Sequence, residues 1–411
     1  MAGPADRILV LGAGQAGAAL VAKLRERGHE GPITLVGAEP APPYQRPPLS
    51  KKYLLGEMPR ERLFLRPESW YAEKGIDLAL GVRAEAIDRE ARTVALSDGR
   101  ALAYDGLALC LGSRPRRWPG DRGGALPGVH LVRDLADIDE LAPGFEPQGD
   151  APPRLVVVGG GYIGLEAAAV ARSRGLHVTV LEAAPRLLAR VACAETAAAV
   201  AELHRARGVE IRTGAALDRL EPGEDGRLAR AVLADGEAIP ADVAVIGIGV
   251  IPNAELAEAA GLATENGVRA DETCATSDPR IVAAGDCASF PWRGRRIRLE
   301  SVQNAIDMAE AAATTLAGEA APYDPLPWFW SDQFDAKLQI AGLALDWDRI
   351  VAREGARPGA LSHWYFAGAE LIAVDALNDP RAYMTGKRWL EAGRSPDPEA
   401  LADPGTDLKS L

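Results

Sequence analysis

A glycine-rich fingerprint occurs twice in this chain. The first copy is Gly12-Ala13-Gly14-Gln15-Ala16-Gly17 and the second is Gly159-Gly160-Gly161-Tyr162-Ile163-Gly164. Each copy follows an apolar run and opens an alanine-rich helical stretch, which is the strand-turn-helix context that the motif requires. The first glycine permits a tight turn, the second lets the backbone approach a pyrophosphate, and the third lets the helix pack on the strand. Because the N–H groups of a helix N-terminus attract an anion, two copies predict two bound dinucleotides.

An acidic residue follows the second strand of each predicted unit. Glu182 comes directly after the apolar run 178–181. A carboxylate there accepts hydrogen bonds from a ribose 2′-hydroxyl and repels a 2′-phosphate, which favours NADH over NADPH. A surface acid at a strand end is the alternative, and Arg186 nearby would soften the discrimination. In the first unit the acid is Glu39, which comes after Gly37-Ala38, so its ribose contact is less direct.

Length and composition are those of a soluble protein with two or three domains. At 411 residues the chain exceeds the size at which a single core stops growing, and 47% hydrophobic with 25% charged residues is ordinary for a globular protein. No apolar run reaches transmembrane length and residues 1–6 show no signal-peptide pattern, so we expect a cytoplasmic protein with no membrane partner. The net charge of -12 argues against nucleic acid as a partner.

The four cysteines predict neither a metal site nor a redox pair. Cys110, Cys193, Cys274 and Cys287 are widely spaced, with no C-x-x-C pair and no metal-ligand spacing. Burial as small hydrophobic side chains accounts for all four. A flavin-dependent disulfide reductase needs a cysteine pair beside its flavin, so the pattern argues against that activity.

Periodicity and turn residues predict the remaining elements. Pro40 to Lys51 must be a stiff loop, because proline lacks a donor and fixes φ. Pro115 to Pro153 is a crossing segment, and the tail that opens at Trp328 predicts a small antiparallel α+β domain. The predicted helices are 14–27, 134–141, 164–173, 194–207 and 301–316. The predicted strands, beyond those before the fingerprints, are 33–36, one around Val82, 93–96 and 107–109 flanking an Asp98-Gly99 hairpin region, 178–181, 243–246, 281–286, 338–340, 364–366 and 371–374.

Several further segments, taken in chain order with the fingerprints, resemble those of one family. They are Pro47-Pro48-Leu49-Ser50-Lys51, Tyr104-Asp105, 109–112, 247–253, Gly285-Asp286, 300–304 and Trp328-Phe329-Trp330-Ser331-Asp332-Gln333. The family is the FAD-dependent, NADH-dependent ferredoxin reductases of oxygenase systems, which includes putidaredoxin reductase and the reductases of biphenyl-type dioxygenases. Two positions depart from its pattern: Cys110-Leu111 replaces Ala-Thr before Gly112, and Ala38 replaces a common aspartate.

The resemblance implies an α/β fold with two Rossmann-like dinucleotide-binding domains of the glutathione-reductase-like kind and a C-terminal α+β domain. It assigns FAD to the first fingerprint and NADH to the second. The implied domains are a discontinuous FAD-binding domain at 1–115 and 245–322, an NADH-binding domain at 116–244, and a C-terminal domain at 323–411.

The resemblance also implies which side chains act at the flavin. Lys51 would lie near N5 and pair with Glu166, and Trp330 would stack beside the isoalloxazine. Arg46 would lie towards the phosphates or the ring. Taken alone, the two cations would be solvated loop residues, and the tryptophan would be core packing.

Other positions are assigned to the cofactors by the same resemblance. Asp286 would bind the FAD ribityl chain at the N-terminus of the following helix, although Gly285-Asp286 is otherwise a turn and helix cap. The further implied cofactor contacts are Ala16, Val82, Gly112, Arg133, Tyr162, Ile163, Gly249 and Val302.

The implied activity is electron transfer from NADH via FAD to a [2Fe-2S] ferredoxin that feeds a cytochrome P450 or a Rieske oxygenase. The cofactor carries the chemistry, so no metal is needed, and the family favours a monomer. Because such ferredoxins are usually acidic, an arginine-rich run is predicted to be part of the docking face. An ordinary solvated hairpin is the alternative. The arginines are Arg293, Arg295, Arg296 and Arg298.

Three other activities remain open from the sequence. An NADH oxidase or peroxidase shares the fold but uses a reactive cysteine near the Lys51 region, and none is present there. A rubredoxin reductase is separated poorly from the favoured activity. A non-catalytic flavin- and NADH-binding signalling protein would carry extra targeting, basic or insertion segments, and none is seen.

Overall fold

The computed structural model describes residues 5–146 and 151–411. Residues 1–4 and 147–150 lie outside these ranges. The first group is part of the N-terminal segment in which we expect no signal peptide, and the second is part of the crossing segment. The chain forms two compact units. Unit 1 comprises Met1–Gln45, Pro59–Arg114 and Val250–Pro325, and unit 2 comprises Arg46–Met58, Pro115–Gly249 and Leu326–Leu411. The finer division into three domains stays a prediction.

The described residues form both helices and strands, with several runs of consecutive strands. The helices are α1 (Gln15–Glu26), α2 (Glu68–Glu73), α3 (Leu135–Leu141), α4 (Tyr162–Ser173), α5 (Ala194–Arg205), α6 (Glu255–Ala259), α7 (Val302–Leu316), α8 (Pro380–Glu391) and α9 (Pro398–Ala402). The strands are β1 (Ile8–Leu11), β2 (Ile33–Gly37), β3 (Ile76–Leu80), β4 (Ala84–Asp88), β5 (Thr93–Leu96), β6 (Ala101–Ala103), β7 (Gly106–Leu109), β8 (Ser113–Pro115), β9 (Val129–His130), β10 (Arg154–Val158), β11 (His177–Glu182), β12 (Glu210–Thr213), β13 (Leu217–Pro222), β14 (Leu228–Leu233), β15 (Ala238–Pro240), β16 (Val243–Ile246), β17 (Val250–Pro252), β18 (Val268–Arg269), β19 (Ile281–Ala283), β20 (Ala288–Trp292), β21 (Arg295–Ile297), β22 (Trp328–Gln333), β23 (Ala336–Gly342), β24 (Arg349–Glu354), β25 (Leu361–Ala367) and β26 (Glu370–Leu377).

Unit 1 is built on a parallel sheet of five strands in the order β19-β7-β1-β2-β3. Every residue of β1 and β7 is buried, as expected for central strands covered on both faces. Helices α1 and α7 pack against each other. A three-stranded antiparallel sheet, β4-β5-β6, is turned at Asp98-Gly99, where Gly99 has φ of +85°, so the predicted hairpin is confirmed.

Unit 2 contains a second parallel sheet, in the order β12-β11-β10-β16-β9. Its central strands β10 and β16 are apolar and almost wholly buried, and α4 packs on β10 and β11. The repeated strand order confirms that the two fingerprints open the same kind of parallel fold.

The C-terminal part of unit 2 is an antiparallel sheet in the order β22-β23-β26-β25-β24, with α8 packed on β26 and β23. Its core contains the buried rings of Trp364, Phe366 and Trp389. The predicted antiparallel α+β tail is therefore confirmed.

Some local expectations are wrong. Val82 is not in a strand, because Gly81 with φ of +71° ends β3 just before it. The proline-rich loop contains a 3-10 turn at Pro47–Ser50, since prolines at the first positions of such a turn need no donor. Asp286 does not precede an α-helix: it lies in a 3-10 turn, Gly285–Cys287, that leads into β20.

Two helix boundaries differ from the prediction by two residues, and the other boundaries of the predicted helices differ by at most one residue. Helix α4 begins at Tyr162 rather than at 164, because the third glycine of the fingerprint lies inside the first helical turn. Helix α5 ends at Arg205 rather than at 207.

Candidate functional site

The first glycine-rich loop leaves no room for side chains where it touches its own fold. Gly12 has φ of +112°, and a Cβ there would overlap the carbonyl oxygen of Cys110. A Cβ on Gly17 would overlap the carbonyl oxygen of Gly12, so helix and strand approach closely. A Cβ on Gly285 would come within 3.1 Å of the Ala16 methyl group, so Ala16 fills the space beside that glycine.

The second loop repeats this geometry. Gly159 has φ of +108°, and a Cβ there would overlap the carbonyl oxygen of Gly247. A Cβ on Gly164 would overlap the carbonyl oxygen of Gly159. Both loops therefore require glycine at the first and third positions for the same steric reason.

The middle glycines face open space. A Cβ at Gly14 or at Gly161 would meet no protein atom within 4 Å. Each is the N-cap of its helix, makes no side-chain capping hydrogen bond, and is followed by a first turn without acidic residues. Since the N-terminal N–H groups are left for an external acceptor, both loops fit a dinucleotide pyrophosphate.

Glu39 lies beside the carboxyl ends of β2 and β3. Its carboxylate is half-buried and accepts a hydrogen bond from the hydroxyl of Tyr44. The Gly81 N–H donates to the Glu39 carbonyl and the Val82 N–H donates to Gly37. Glu39 and Val82 are thus held at the carboxyl-end edge of this sheet.

Glu182 is fixed by the backbone around it. One carboxylate oxygen accepts from the Gly160 N–H at 2.7 Å, and the other accepts from the Ala184 N–H at 2.7 Å. Arg186 donates to the carbonyl oxygens of Ala189 and Ala192, so its guanidinium is committed to the following loop. The end of β11 therefore presents a fixed negative charge next to the second glycine loop.

Asp286 and Gly112 lie at the carboxyl ends of β19 and β7. The Ser113 hydroxyl donates to the Asp286 carboxylate at 2.9 Å, and Arg298 donates to the Asp286 carbonyl. Gly112 has φ of +64° and its carbonyl accepts from the Asn253 N–H. Ligands of open parallel sheets bind at the carboxyl ends of the strands, and Asp286 and Gly112 lie at that edge. Their cofactor contacts stay predictions.

Val302 is the first residue of α7. The Ser301 hydroxyl caps the helix by accepting from the Asn304 N–H at 3.1 Å. Val302 therefore lies in the capped first turn of α7.

Lys51 and Glu166 form an ion pair within unit 2. Lys51 Nζ lies 2.7 Å from Glu166 Oε2. Glu166 is only 3% exposed. The hydroxyls of Ser50 and Ser331 donate to Oε2 and Oε1 at 2.5 and 2.7 Å. Burial raises the pKa of Glu166, while the Lys51 ammonium and the two hydroxyls oppose that rise.

Arg46 and Arg133 are brought together. Arg46 Nη1 donates to the Arg133 carbonyl at 2.7 Å. Gly249, with φ of +96°, has its carbonyl bound by the Arg116 N–H. All these residues belong to unit 2.

Aromatic side chains cluster on β22. The rings of Trp328 and Trp330 are 5.8 Å apart, and Phe329 lies 5.6 Å from Tyr162, the first residue of α4. Ile163 follows in the same helical turn. Trp330 is partly exposed, so it combines ring packing with a free surface.

The predicted docking arginines divide into two pairs. Arg298 has a side chain 8% exposed and ion-paired to Glu300, and Arg296 is held by the carbonyls of Ala270 and Ser289. Arg293 and Arg295 are exposed at the β20–β21 hairpin, with Arg293 stacked on Trp292.

Four polar residues around Glu166 were missed by the sequence reasoning. Ser50, Ser331, Gln333 and His204 are connected to it directly or in series. Ser331 and Gln333 alternate on β22 and therefore share one face, which is the signal that would have found them. Nothing in the local sequence marks His204.

Comparison with known proteins identifies the class. The profile of the pyridine nucleotide-disulphide oxidoreductase family matches residues 6–309, and that of the reductase C-terminal family matches residues 328–411. The chain belongs to the pyridine nucleotide-disulphide oxidoreductases, in the branch that carries the reductase C-terminal domain.

Within that class the similarity extends over whole chains. Rhodocoxin reductase of Rhodococcus erythropolis is 42% identical over 404 residues, covering 98% of this chain and 93% of that protein. Putidaredoxin reductase CamA of Pseudomonas putida is 41% identical over 411 residues, covering 99% and 96%. The crystal structure of the covalent putidaredoxin reductase–putidaredoxin complex matches with a TM-score of 0.94 at 40% identity, covering 98% of this chain and 97% of that one. The predicted family, fold class and oxidoreductase activity are confirmed.

The family also fixes the cofactors, which are FAD and NAD(H). The two glycine loops fit them independently, through the open space before α1 and α4. Among the described residues, no helix is both long and apolar enough to span a membrane.

Proposed function

We propose that this chain passes electrons from NADH through FAD to a [2Fe-2S] ferredoxin that serves a cytochrome P450 or a Rieske oxygenase. The observation that carries the proposal is the full-length match to putidaredoxin reductase, a protein whose structure has been solved in complex with putidaredoxin. The match covers 98% of this chain and 97% of that one.

The two glycine loops divide the cofactors between them. We assign FAD to the loop before α1, with Glu39, Val82, Gly112 and Asp286 at the same sheet edge. We assign NADH to the loop before α4, with Glu182 beside it. By the resemblance, residues 1–115 and 245–322 bind FAD, 116–244 bind NADH, and 323–411 form the C-terminal domain.

FAD, when bound, would supply the chemistry that couples the two-electron oxidation of NADH to one-electron transfer to the acceptor. The protein binds and orients both cofactors and sets the charge around them. The Lys51–Glu166 pair supplies a buried carboxylate and an ammonium that hold opposite charges 2.7 Å apart. By the resemblance, Lys51 would lie near the flavin N5 and Trp330 would stack beside the ring.

A preference for NADH follows from the charge at the end of β11. A 2′-phosphate would meet the fixed carboxylate of Glu182, and Arg186 is already bound to backbone carbonyls. Electrostatic repulsion therefore disfavours NADPH.

The oxidase or peroxidase alternative lacks the reactive thiolate that it needs. All four cysteines are buried, and burial raises the pKa of the Cys110, Cys193, Cys274 and Cys287 thiols, whereas an oxidase or peroxidase uses a reactive thiolate. A rubredoxin reductase differs in its acceptor, so the test must vary the acceptor.

We also propose that the protein is a monomer and that it acts in the cytoplasm.

NADH-driven cytochrome c reduction by the purified protein tests the proposal, with and without a [2Fe-2S] ferredoxin and with rubredoxin as a second acceptor. The proposal requires a rate that depends on the ferredoxin and is faster with NADH than with NADPH. Rapid oxygen consumption indifferent to ferredoxin would assign the chain to the oxidases, and a preference for rubredoxin would change its partner. NADH oxidation that no acceptor accelerates would favour the signalling protein.

A further inference from the structure

A buried series of hydrogen bonds ends on Glu166 Oε1, the carboxylate oxygen that Lys51 does not contact. Ser331 Oγ donates to Glu166 Oε1 at 2.7 Å, Gln333 Nε2 lies 3.1 Å from Ser331 Oγ, and His204 Nε2 lies 2.8 Å from Gln333 Oε1. The exposed fractions of Ser331, Gln333 and His204 are 0%, 3% and 0%. The series links α4, β22 and α5 within unit 2.

The direction of every hydrogen bond in this series is fixed. An ionised carboxylate can only accept hydrogen bonds, so the Ser331 hydroxyl donates its single hydrogen to Glu166. Its oxygen must then accept from the Gln333 amide nitrogen. The Gln333 oxygen in turn faces His204, so Nε2 of that imidazole carries the hydrogen.

His204 ends the series as a neutral ring. Its Nδ1 is buried with no hydrogen-bond partner among the described residues. Burial lowers the pKa of His204, with the Arg207 guanidinium acting in the same direction against the Gln333 hydrogen bond. The imidazole therefore stays uncharged, with one proton held at Nε2.

We propose that Ser331, Gln333 and His204 are positioning residues whose one-directional hydrogen-bond series keeps Glu166 ionised. Both carboxylate oxygens face donors: Oε2 accepts from the Lys51 ammonium and the Ser50 hydroxyl, and Oε1 accepts from the Ser331 hydroxyl. A proton on Oε1 would have to be donated to Ser331 Oγ, which already accepts from Gln333. The displaced hydroxyl hydrogen would then lack an acceptor in a buried site. Aligned bonds also polarise one another, which strengthens the series as a whole.

The other charged groups on the elements packed against α4 are engaged elsewhere. Asp332 alternates with Ser331 on β22 and pairs with Lys337. Arg154 of β10 pairs with Asp242.

The two ends of β11 add no free charge next to Glu166. Glu182 is bound to the Gly160 and Ala184 N–H groups, and His177 is exposed at the opposite end of that strand. Lys51, next to the 3-10 turn, is the charged side chain that contacts the Glu166 carboxylate.

The inference rests on the proposed function in taking Lys51 and Glu166 as the pair that serves the flavin. Its test is Ser331→Ala in the FAD-loaded protein, with Ser362→Ala as the matched control. Ser362 is equally buried in the same sheet, and its hydroxyl contacts the Arg353 carbonyl and Trp364 rather than Glu166. Gln333→Leu is the second variant, in case the first does not fold.

The readout is the pH at which the Glu166 carboxyl takes up its proton, followed by infrared difference spectroscopy and assigned with Glu166→Gln. We expect Ser331→Ala to raise that pH by about one unit and Gln333→Leu to raise it by less, because a hydrogen bond to the charged form is lost. Ser362→Ala should titrate like the parent. The pH profile of NADH-to-ferricyanide turnover should move with the infrared midpoint.

Titration of Ser331→Ala at the parent midpoint would overturn the proposal, as would an equal shift in Ser362→Ala. The outcome is independent of the acceptor. If the protein reduces no ferredoxin but Ser331→Ala still shifts the midpoint, the proposed function is wrong and this inference stands. If the protein reduces ferredoxin but the midpoint does not shift, the proposed function stands and this inference is wrong.

Discussion

Lys51 Nζ lies 2.7 Å from Glu166 Oε2, and the carboxylate is removed from water. Breaking a buried pair leaves one charge uncompensated, which costs far more than losing an exposed pair. The Lys51–Glu166 ion pair is therefore expected to contribute to the stability of unit 2.

Lys51→Met should destabilise the protein in a pH-dependent way. The pKa of Glu166 is already raised from its ordinary 4.5 by burial, and loss of the ammonium raises it further. A carboxyl whose pKa is higher in the folded state adds to the free energy of unfolding while it is protonated. For Glu166 this contribution is present below the ordinary pKa and is lost as pH rises through the pKa of the folded state. We expect a deficit that grows from acid to neutral pH, reaching about 3 to 5 kcal/mol.

Urea unfolding across that pH range measures the deficit. The double variant Lys51→Met/Glu166→Gln should recover most of it, because the neutral amide needs no counter-charge. A deficit that is the same at every pH, or that the second substitution does not relieve, would show that the charge pairing is not its cause.

Gly14→Ala and Gly161→Ala should separate the two cofactor sites. A methyl group at either position meets no protein atom within 4 Å, so the fold should be retained. Gly14→Ala is expected to weaken FAD retention, while Gly161→Ala should keep FAD and raise the KM for NADH. Flavin content after gel filtration and steady-state ferricyanide reduction measure these effects, and each variant is the control for the other. Loss of FAD from Gly161→Ala would reverse our assignment.

Glu182→Gln should relax the choice of coenzyme. Removing the negative charge at the end of β11 should raise NADPH use relative to NADH by about tenfold, which corresponds to about 1.4 kcal/mol. The ratio of kcat/KM for the two coenzymes is the measurement. Glu221→Gln, an equal charge change on β13, should leave the ratio alone, and an unchanged ratio in Glu182→Gln would refute the role of its carboxylate.

Asp375 should make stability depend on pH at mildly acidic values. Its carboxyl is buried, accepts from the Tyr365 hydroxyl, and has its pKa raised by burial to about 6 from 3.8. Because the folded pKa is the higher one, this contribution to stability is present below 3.8 and is lost as pH rises through about 6. It amounts to about 3 kcal/mol.

Asp375→Asn keeps an acceptor for Tyr365 but cannot ionise. Relative to it, the parent protein should lose stability across that window, measured as the pH dependence of the thermal midpoint. Asp324→Asn, at an exposed position, should follow the parent, and parallel curves for the parent and Asp375→Asn would contradict the prediction.

Arg293 and Arg295 are the exposed members of the predicted docking arginines. Arg293→Gln/Arg295→Gln should raise the KM for an acidic ferredoxin severalfold, more at low salt than at high salt, because exposed charges are screened. Turnover with ferricyanide should be unchanged. Arg388→Gln, an exposed cation on α8, serves as the control, and equal losses with both acceptors would remove the hairpin from the docking face.

The sequence predicted most of what is local or repeated. The two glycine loops were found because their steric requirement is written in consecutive residues, and the Lys51–Glu166 pairing came from the family resemblance. The aromatic run at Trp328 marked the start of the C-terminal sheet.

What escaped prediction depends on burial and on contacts between distant segments. The arginine run did not reveal that Arg298 is enclosed and ion-paired, since a charge pattern says nothing about exposure. His204 sits in an alanine-rich helix with no local signal, and its link to Gln333 exists only after α5 packs near β22. The helix expected after Asp286 came from the family resemblance, whereas strand β20 follows Asp286 in the structure.

The central claim is tested most directly by anaerobic reduction of a [2Fe-2S] ferredoxin. A catalytic amount of the FAD-loaded protein is mixed with excess ferredoxin and NADH, and bleaching of the iron–sulfur absorbance is followed with time. Our account predicts that one NADH reduces two ferredoxins, and that NADPH does so more slowly. NADH oxidation that leaves the cluster oxidised would contradict it.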